Sequence, residues 1–69
     1  MKNSIRVERA RLRMSQQELA DKLNVTRQTI YAIEAGMFNP STLLALKMSE
    51  LFGVPVNDLF SLEEDDYKK

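Results

Sequence analysis

Cysteine, histidine and tryptophan are absent from this 69-residue chain. Without cysteine there is no disulfide framework and no thiolate nucleophile, and without both cysteine and histidine the usual zinc ligands are missing. Ser-His-Asp and Cys-His catalysis are excluded for the same reason. The carboxylates Glu63 to Asp66 cluster in a tail with nothing to orient them. No catalytic residue, metal site, cofactor or small-molecule ligand is therefore expected. No long apolar run follows Met1, so neither a secretory signal nor a membrane span is expected, and the predicted location is cytoplasmic. The chain also lacks repeats, linkers and low-complexity stretches. Its length suits one small domain, residues 1–62, with a charged tail over 63–69. A core of that size is marginal without good helix termini or a second copy to extend it.

A surplus of positive charge is missing too. Ten basic residues balance ten acidic ones, and the isoelectric point is about 6.2, whereas nucleic-acid-binding domains often lie above about 9. The distribution is uneven, however. Up to Pro40 there are seven basic and four acidic residues, a net +3; from Ser41 onward three basic and six acidic residues give −3. Such a dipolar molecule can be oriented by a polyanion even when its total charge is nil.

What is present is a regular succession of helix signals. A first helix is predicted from about Ser4 to Arg13, with Ile5, Arg9 and Leu12 on one face. Ser15 and Glu18 form a capping box that opens a second helix, Gln16 to Leu23. Leu19, Ala20 and Leu23 give it a core-facing stripe, and Asn24 suits the left-handed turn that ends it. Val25 is expected to plug the corner. Thr26 is a good N-cap for a third helix, Arg27 to Ala35, stopped by Gly36. Ile30, Ile33 and Glu34 fall on one side of that helix; Arg27, Gln28, Tyr31, Ala32 and Ala35 fall on the other. A merely solvated face usually carries Lys and Glu pairs. This one carries two side chains able to make bidentate contacts to base edges, Arg27 and Gln28, beside small alanines that let the backbone approach a groove.

The segment Ser15–Gly36, SQQELADKLNVTRQTIYAIEAG, resembles the small helix-turn-helix regulators of the Cro/CI (Xre) type. It follows their pattern T-Q-x-E-L-A…G-V-S-x-x-x-I-x-x-[IW]-E-x-G, and the likeness extends over roughly Ile5 to Phe60. Asn24 stands where that family usually has Gly. Met37 stands where a Lys is common, which removes one phosphate contact. The resemblance implies an all-α, five-helix Cro/CI-like domain that binds double-stranded DNA with the third helix in the major groove. It implies that Gln16 bonds the phosphate backbone and braces the recognition helix, with Gln17 a weaker candidate. Gln28 is the leading base reader, with Arg27, Tyr31 and Ala32 beside it. Thr26 and Thr29 flank that face, and Asn39 in the following loop is within reach of a phosphate. Phe38 is expected to pack and fix that loop. An ion pair between Arg9 and Glu34, tying the first helix to the third, is also implied.

Pro40 and Ser41 open a fourth helix ending at Phe52-Gly53. Val54-Pro55-Val56 is expected to be extended, and Asn57 to cap a last short helix, Asp58 to Phe60. The fourth helix is apolar over more of its surface than one core can cover, which predicts a homodimer. Leu44, Leu51, Val54, Val56, Leu59, Phe60 and Leu62 are its expected interface, and Leu43 is the weakest candidate. The expected function is a sequence-specific regulator, in particular a repressor on a palindromic operator. The alternative is an antitoxin-like module whose main partner is another protein.

Overall fold

The computed structural model describes residues 1–68. Five helices carry the chain: α1 (Ile5–Arg11), α2 (Gln16–Leu23), α3 (Arg27–Glu34), α4 (Thr42–Phe52) and α5 (Val56–Leu59). They enclose one core of Ile5, Leu19, Ala20, Leu23, Ile30, Ile33, Leu44, Met48, Phe52, Leu59 and Phe60. Met14, Val25, Leu51 and Val54 pack against its rim. Every helix contributes at least one of these residues, so no helix is an appendage. Burying each large side chain contributes about 1.5–3 kcal/mol.

Helix α2 is bounded by local chemistry at both ends. The Ser15 hydroxyl accepts from the Glu18 amide, and the Glu18 carboxylate accepts from the Ser15 amide. At the other end Asn24 adopts φ +57°, the left-handed conformation that lets its N–H close the last turn. Helices α3 and α4 are capped likewise by Thr26 and Ser41. Ala35 forms the C-cap of α3, one residue short of the predicted end.

Several expectations about the helix ends are corrected by the structure. Helix α1 starts after Ser4 and stops at Arg11, because Arg13 turns to φ +54°. Leu12 therefore lies outside the core, 40% exposed. Ser4 is no side-chain cap; its hydroxyl donates to the Asp58 carbonyl at 3.0 Å instead. Helix α5 begins at Val56, directly after Pro55, so Val56 is helical and Asn57 lies inside the helix rather than capping it. Pro55 fixes its own φ near the helical value and needs no N–H there. Phe60 leaves the helix because its backbone pairs with Asn3. Strands β1 (Lys2–Asn3) and β2 (Phe60–Ser61) form a short antiparallel ladder, Lys2 opposite Ser61 and Asn3 opposite Phe60.

The same ladder brings the chain ends together. The Met1 ammonium lies 3.1 Å from both Glu63 and Asp66. A 3-10 turn over Glu64–Tyr67 is stabilised by Asp66 Oδ2 accepting from the Glu63 amide. The charged tail is thus attached through Glu63 and Asp66; Lys69 lies outside the described residues.

Candidate nucleic-acid interface

Helix α3 presents two opposite faces. Ile30 and Ile33 are buried, while Arg27, Gln28 and Tyr31 are exposed on the opposite side, and Ala32 lies half-buried between them. Tyr31 is 54% exposed. Arg27 occupies the first helical turn, where no acidic residue accompanies it. A cation there opposes the helix dipole, so its position is not explained by helix stability.

The turn before α3 is stiff. Thr26 Oγ1 accepts from the Thr29 amide at 3.2 Å, and the two hydroxyls lie 3.0 Å apart. Thr26 and Thr29 thus begin as partners of each other at the flank of the exposed face. Gln17 on α2 faces the same way; its Nε2 donates to Asp21 at 2.8 Å. Gln17, Arg27, Gln28 and Tyr31 together line a shallow hollow of about 400 Å³.

A second recess, of about 350 Å³, lies on the other flank of α3. Arg6, Arg9, Gln16, Arg27, Tyr31, Glu34 and Ala35 line it. The Glu34 carboxylate organises its floor. Arg9 Nε donates to Glu34 Oε2 at 2.7 Å and Arg9 Nη2 to Oε1 at 3.1 Å, a forked pair. Arg9 Nη1 also donates to the Met14 carbonyl. Gln16 Nε2 donates to the same Glu34 Oε1 at 3.3 Å. The pair is largely buried, with Arg9 15% and Glu34 8% exposed. Hydrogen bonding to Glu34 holds the Arg9 guanidinium above its already high ordinary pKa. One carboxylate therefore ties α1, α2 and α3 together at the edge of the exposed face.

Two residues of the site had gone unassigned. Asn3 Nδ2 donates to the Ile33 carbonyl at 2.9 Å while its Oδ1 accepts from the Ile5 amide. It braces the C-terminal end of α3 from 30 residues away, a distance at which no local pattern signals it. Arg6 lines the recess beside Arg9; its spacing of three from Arg9 is the helical signal that puts them on one side.

Other assignments fall elsewhere. Asn39 is exposed in the loop after α3, apart from both recesses. Phe38 does not pack: it is 53% exposed, and Met37 beside it 67%, because the Gly36 turn at φ +77° carries the loop outward. Of the expected interface residues, Leu44, Leu59 and Phe60 belong to the chain's own core at 8%, 1% and 7% exposure. They are spent on folding and leave little surface for a contact with another molecule. Leu51, Val54 and Val56 are half-buried, and Leu62 is 60% exposed. The most exposed leucines of α4 are Leu43, at 65%, and Leu46, at 52%. No helix among the described residues is long and apolar enough to cross a membrane.

The sequence profile of the helix-turn-helix family matches residues 5–59. An uncharacterized HTH-type transcriptional regulator of Methanocaldococcus jannaschii is 47% identical over 66 residues, spanning 96% of this chain and 100% of the relative. An equally similar protein of the same description, YgzD from Bacillus subtilis, is 47% identical over 66 residues with the same coverage. A third, from Methanothermobacter thermautotrophicus, is 42% identical over 69 residues, covering 99% of this chain and 100% of its own.

Proposed function

The chain belongs to the Cro/CI-type helix-turn-helix family of DNA-binding transcriptional regulators, and from that premise we propose that it is a repressor acting as a homodimer on a palindromic operator. The observation that carries this is the opposed faces of α3: two buried isoleucines seat the helix, and Arg27, Gln28 and Tyr31 stand free on the other side. Laid in a major groove, Gln28 reads an adenine edge and Arg27 a guanine edge or an adjacent phosphate. Gln16, held by Glu34, positions the helix against the backbone, and Gln17, Thr26, Thr29, Ala32 and Asn39 complete the contact surface.

A two-fold partner supports the same function by setting two α3 helices about one DNA turn, roughly 34 Å, apart. An apolar groove whose accessible lining includes Pro40, Ala45, Leu46 and Val56 suits a self-complementary contact. The alternative, an antitoxin-like protein partner, would use the same exposed leucines.

Selection of bound sequences from a random DNA pool, followed by anisotropy titration, tests the function. The selected duplex is expected to be palindromic and to bind roughly a thousandfold more tightly than random duplex. Gln28→Ala is expected to cost about 1–3 kcal/mol on it and to relax one base pair per half-site. Equal affinity for selected and random DNA would refute the repressor. Sedimentation is expected to give a dimer at micromolar concentration that Leu46→Asp converts to a monomer; a monomeric wild type removes the two-fold operator.

A further inference from the structure

The recess between α1, α2 and α3 contains more positive charge than its internal pairing consumes. Three arginines and one glutamate line it. The Glu34 carboxylate is committed to Arg9 through two hydrogen bonds, so that pair is electrically closed. Arg6 and Arg27 remain. Both are exposed, and among the described residues neither lies in an ion pair or donates a side-chain hydrogen bond. The neighbouring arginine of α1 behaves differently: Arg11 pairs with Glu8 and donates to the Phe52 carbonyl. Two unpartnered guanidinium groups directed to one recess stand out in a chain whose net charge is zero.

We infer that Arg6 is a DNA-contact residue that, with Arg27, grips a backbone phosphate of duplex DNA at the mouth of this recess. The inference rests on the DNA-binding role proposed above and extends it to α1. Guanidinium forks match phosphate oxygens in shape and charge. The recess lies on the flank of α3, where the sugar-phosphate wall of a groove runs, rather than on the face carrying Gln28. Contacts there position the protein and carry no sequence information. Tyr31 and Gln16 border the same space, so a phosphate held there is flanked by a phenol and an amide that can share its oxygens. The Arg9–Glu34 pair beneath fixes the spacing of α1 from α3, and hence of Arg6 from Arg27.

Arg6→Ala and Arg6→Lys, each checked for an unchanged melting temperature, are compared with the wild type on a selected duplex and a random duplex over a salt series. Lys47→Ala on α4 removes one charge away from the recess and serves as the reference. Neutralising one phosphate contributes about 0.9 to the slope of log affinity against log salt. Arg6→Ala is expected to weaken both duplexes severalfold and about equally, and to lower that slope by about 0.9 per bound chain. Arg6→Lys is expected to keep most of the slope, and Lys47→Ala all of it. Wild-type affinity and slope in Arg6→Ala, or a loss no larger than that of Lys47→Ala, overturns the contact. A loss confined to the selected duplex with the slope intact overturns the phosphate assignment, since it marks a base reader. A wild-type chain that prefers no duplex while Arg6→Ala still lowers its salt slope retains the phosphate contact and refutes the sequence-specific regulator instead. A wild-type chain that holds no duplex refutes both.

Discussion

Glu34 is the acceptor on which three helices converge, and its environment fixes how each partner responds to substitution. Only 8% of its side chain is exposed, so loss of Arg9 strands a carboxylate with a single amide, from Gln16, in support. Loss of Glu34 leaves Arg9 the Met14 carbonyl and more solvent. Arg9→Ala is expected to cost about 3 kcal/mol, the lower end for a buried pair because solvent reaches its rim. Glu34→Ala is expected to cost less. The double variant is expected to lose less than the sum, with a coupling of about 0.5–3 kcal/mol in urea denaturation. Additive losses would mean that each charge is stabilised by solvent alone. The pair was implied by the family resemblance, but its forked geometry and the third partner, Gln16, emerge only where three helices meet.

Helix termini decide stability at the next scale, and the loop Leu12–Ser15 holds two opposite contributions within three residues. Ser15 satisfies an otherwise free N–H of α2 and is itself partnered by Glu18. Ser15→Ala is expected to cost about 1 kcal/mol. Arg13 holds a left-handed conformation at φ +54° that crowds its Cβ. Arg13→Gly is expected to raise stability by up to about 1 kcal/mol, the gain reduced by the greater freedom of glycine in the unfolded chain. Asn24→Gly, at nearly the same φ, is expected to change little, since asparagine tolerates that conformation. Denaturant midpoints at constant slope report all three; a less stable Arg13→Gly would show that the Arg13 side chain makes a contact worth more than its strain. The asymmetry explains why α2 was readable to the residue and α1 was not. Ser, Glu and Asn announce a helix boundary by their own side-chain chemistry, whereas arginine gives no sign of a left-handed turn.

Over the whole molecule, the termini form one electrostatic clasp. Hydrogen bonds that the Met1 ammonium donates to Glu63 and Asp66 raise it above its ordinary pKa. The Glu63 amide and the ammonium lower that of Asp66. A raised amine stabilises fully below about pH 8 and loses that effect as pH climbs through its folded value. A depressed carboxyl stabilises above about pH 4 and loses its effect as pH falls through its folded value. The clasp is therefore expected to hold between about pH 4 and 8 and to open on either side while the helical core persists. Amide chemical shifts of Lys2, Asn3 and Glu63 followed through a pH titration check this, with Asp66→Asn expected to shrink the acid transition. Shifts that move only with the unfolding of Ile5–Leu59 would show that the β1–β2 ladder, not charge, joins the ends.

The order and type of the helices were determined by the sequence alone, because capping boxes, hydrophobic spacing and Gly53 act within one or two turns. The same local logic exposed Gln28 and buried Ile30 and Ile33, so the two faces of α3 were readable before any packing was known. Tertiary structure decided which leucines were left over. Apolar pattern counts residues that seek burial but not the area available to bury them: α5 and the β1–β2 ladder drew Leu59 and Phe60 into the core and left Leu43 and Leu46 outside. It also decided the roles of Asn3 and Arg6. Asn3 reaches Ile33 only because β1 is pinned to β2, and Arg6 shares a recess with Arg27 only because α1 is locked to α3 through Glu34. Contacts across 20 to 60 residues depend on chain paths that no local propensity encodes.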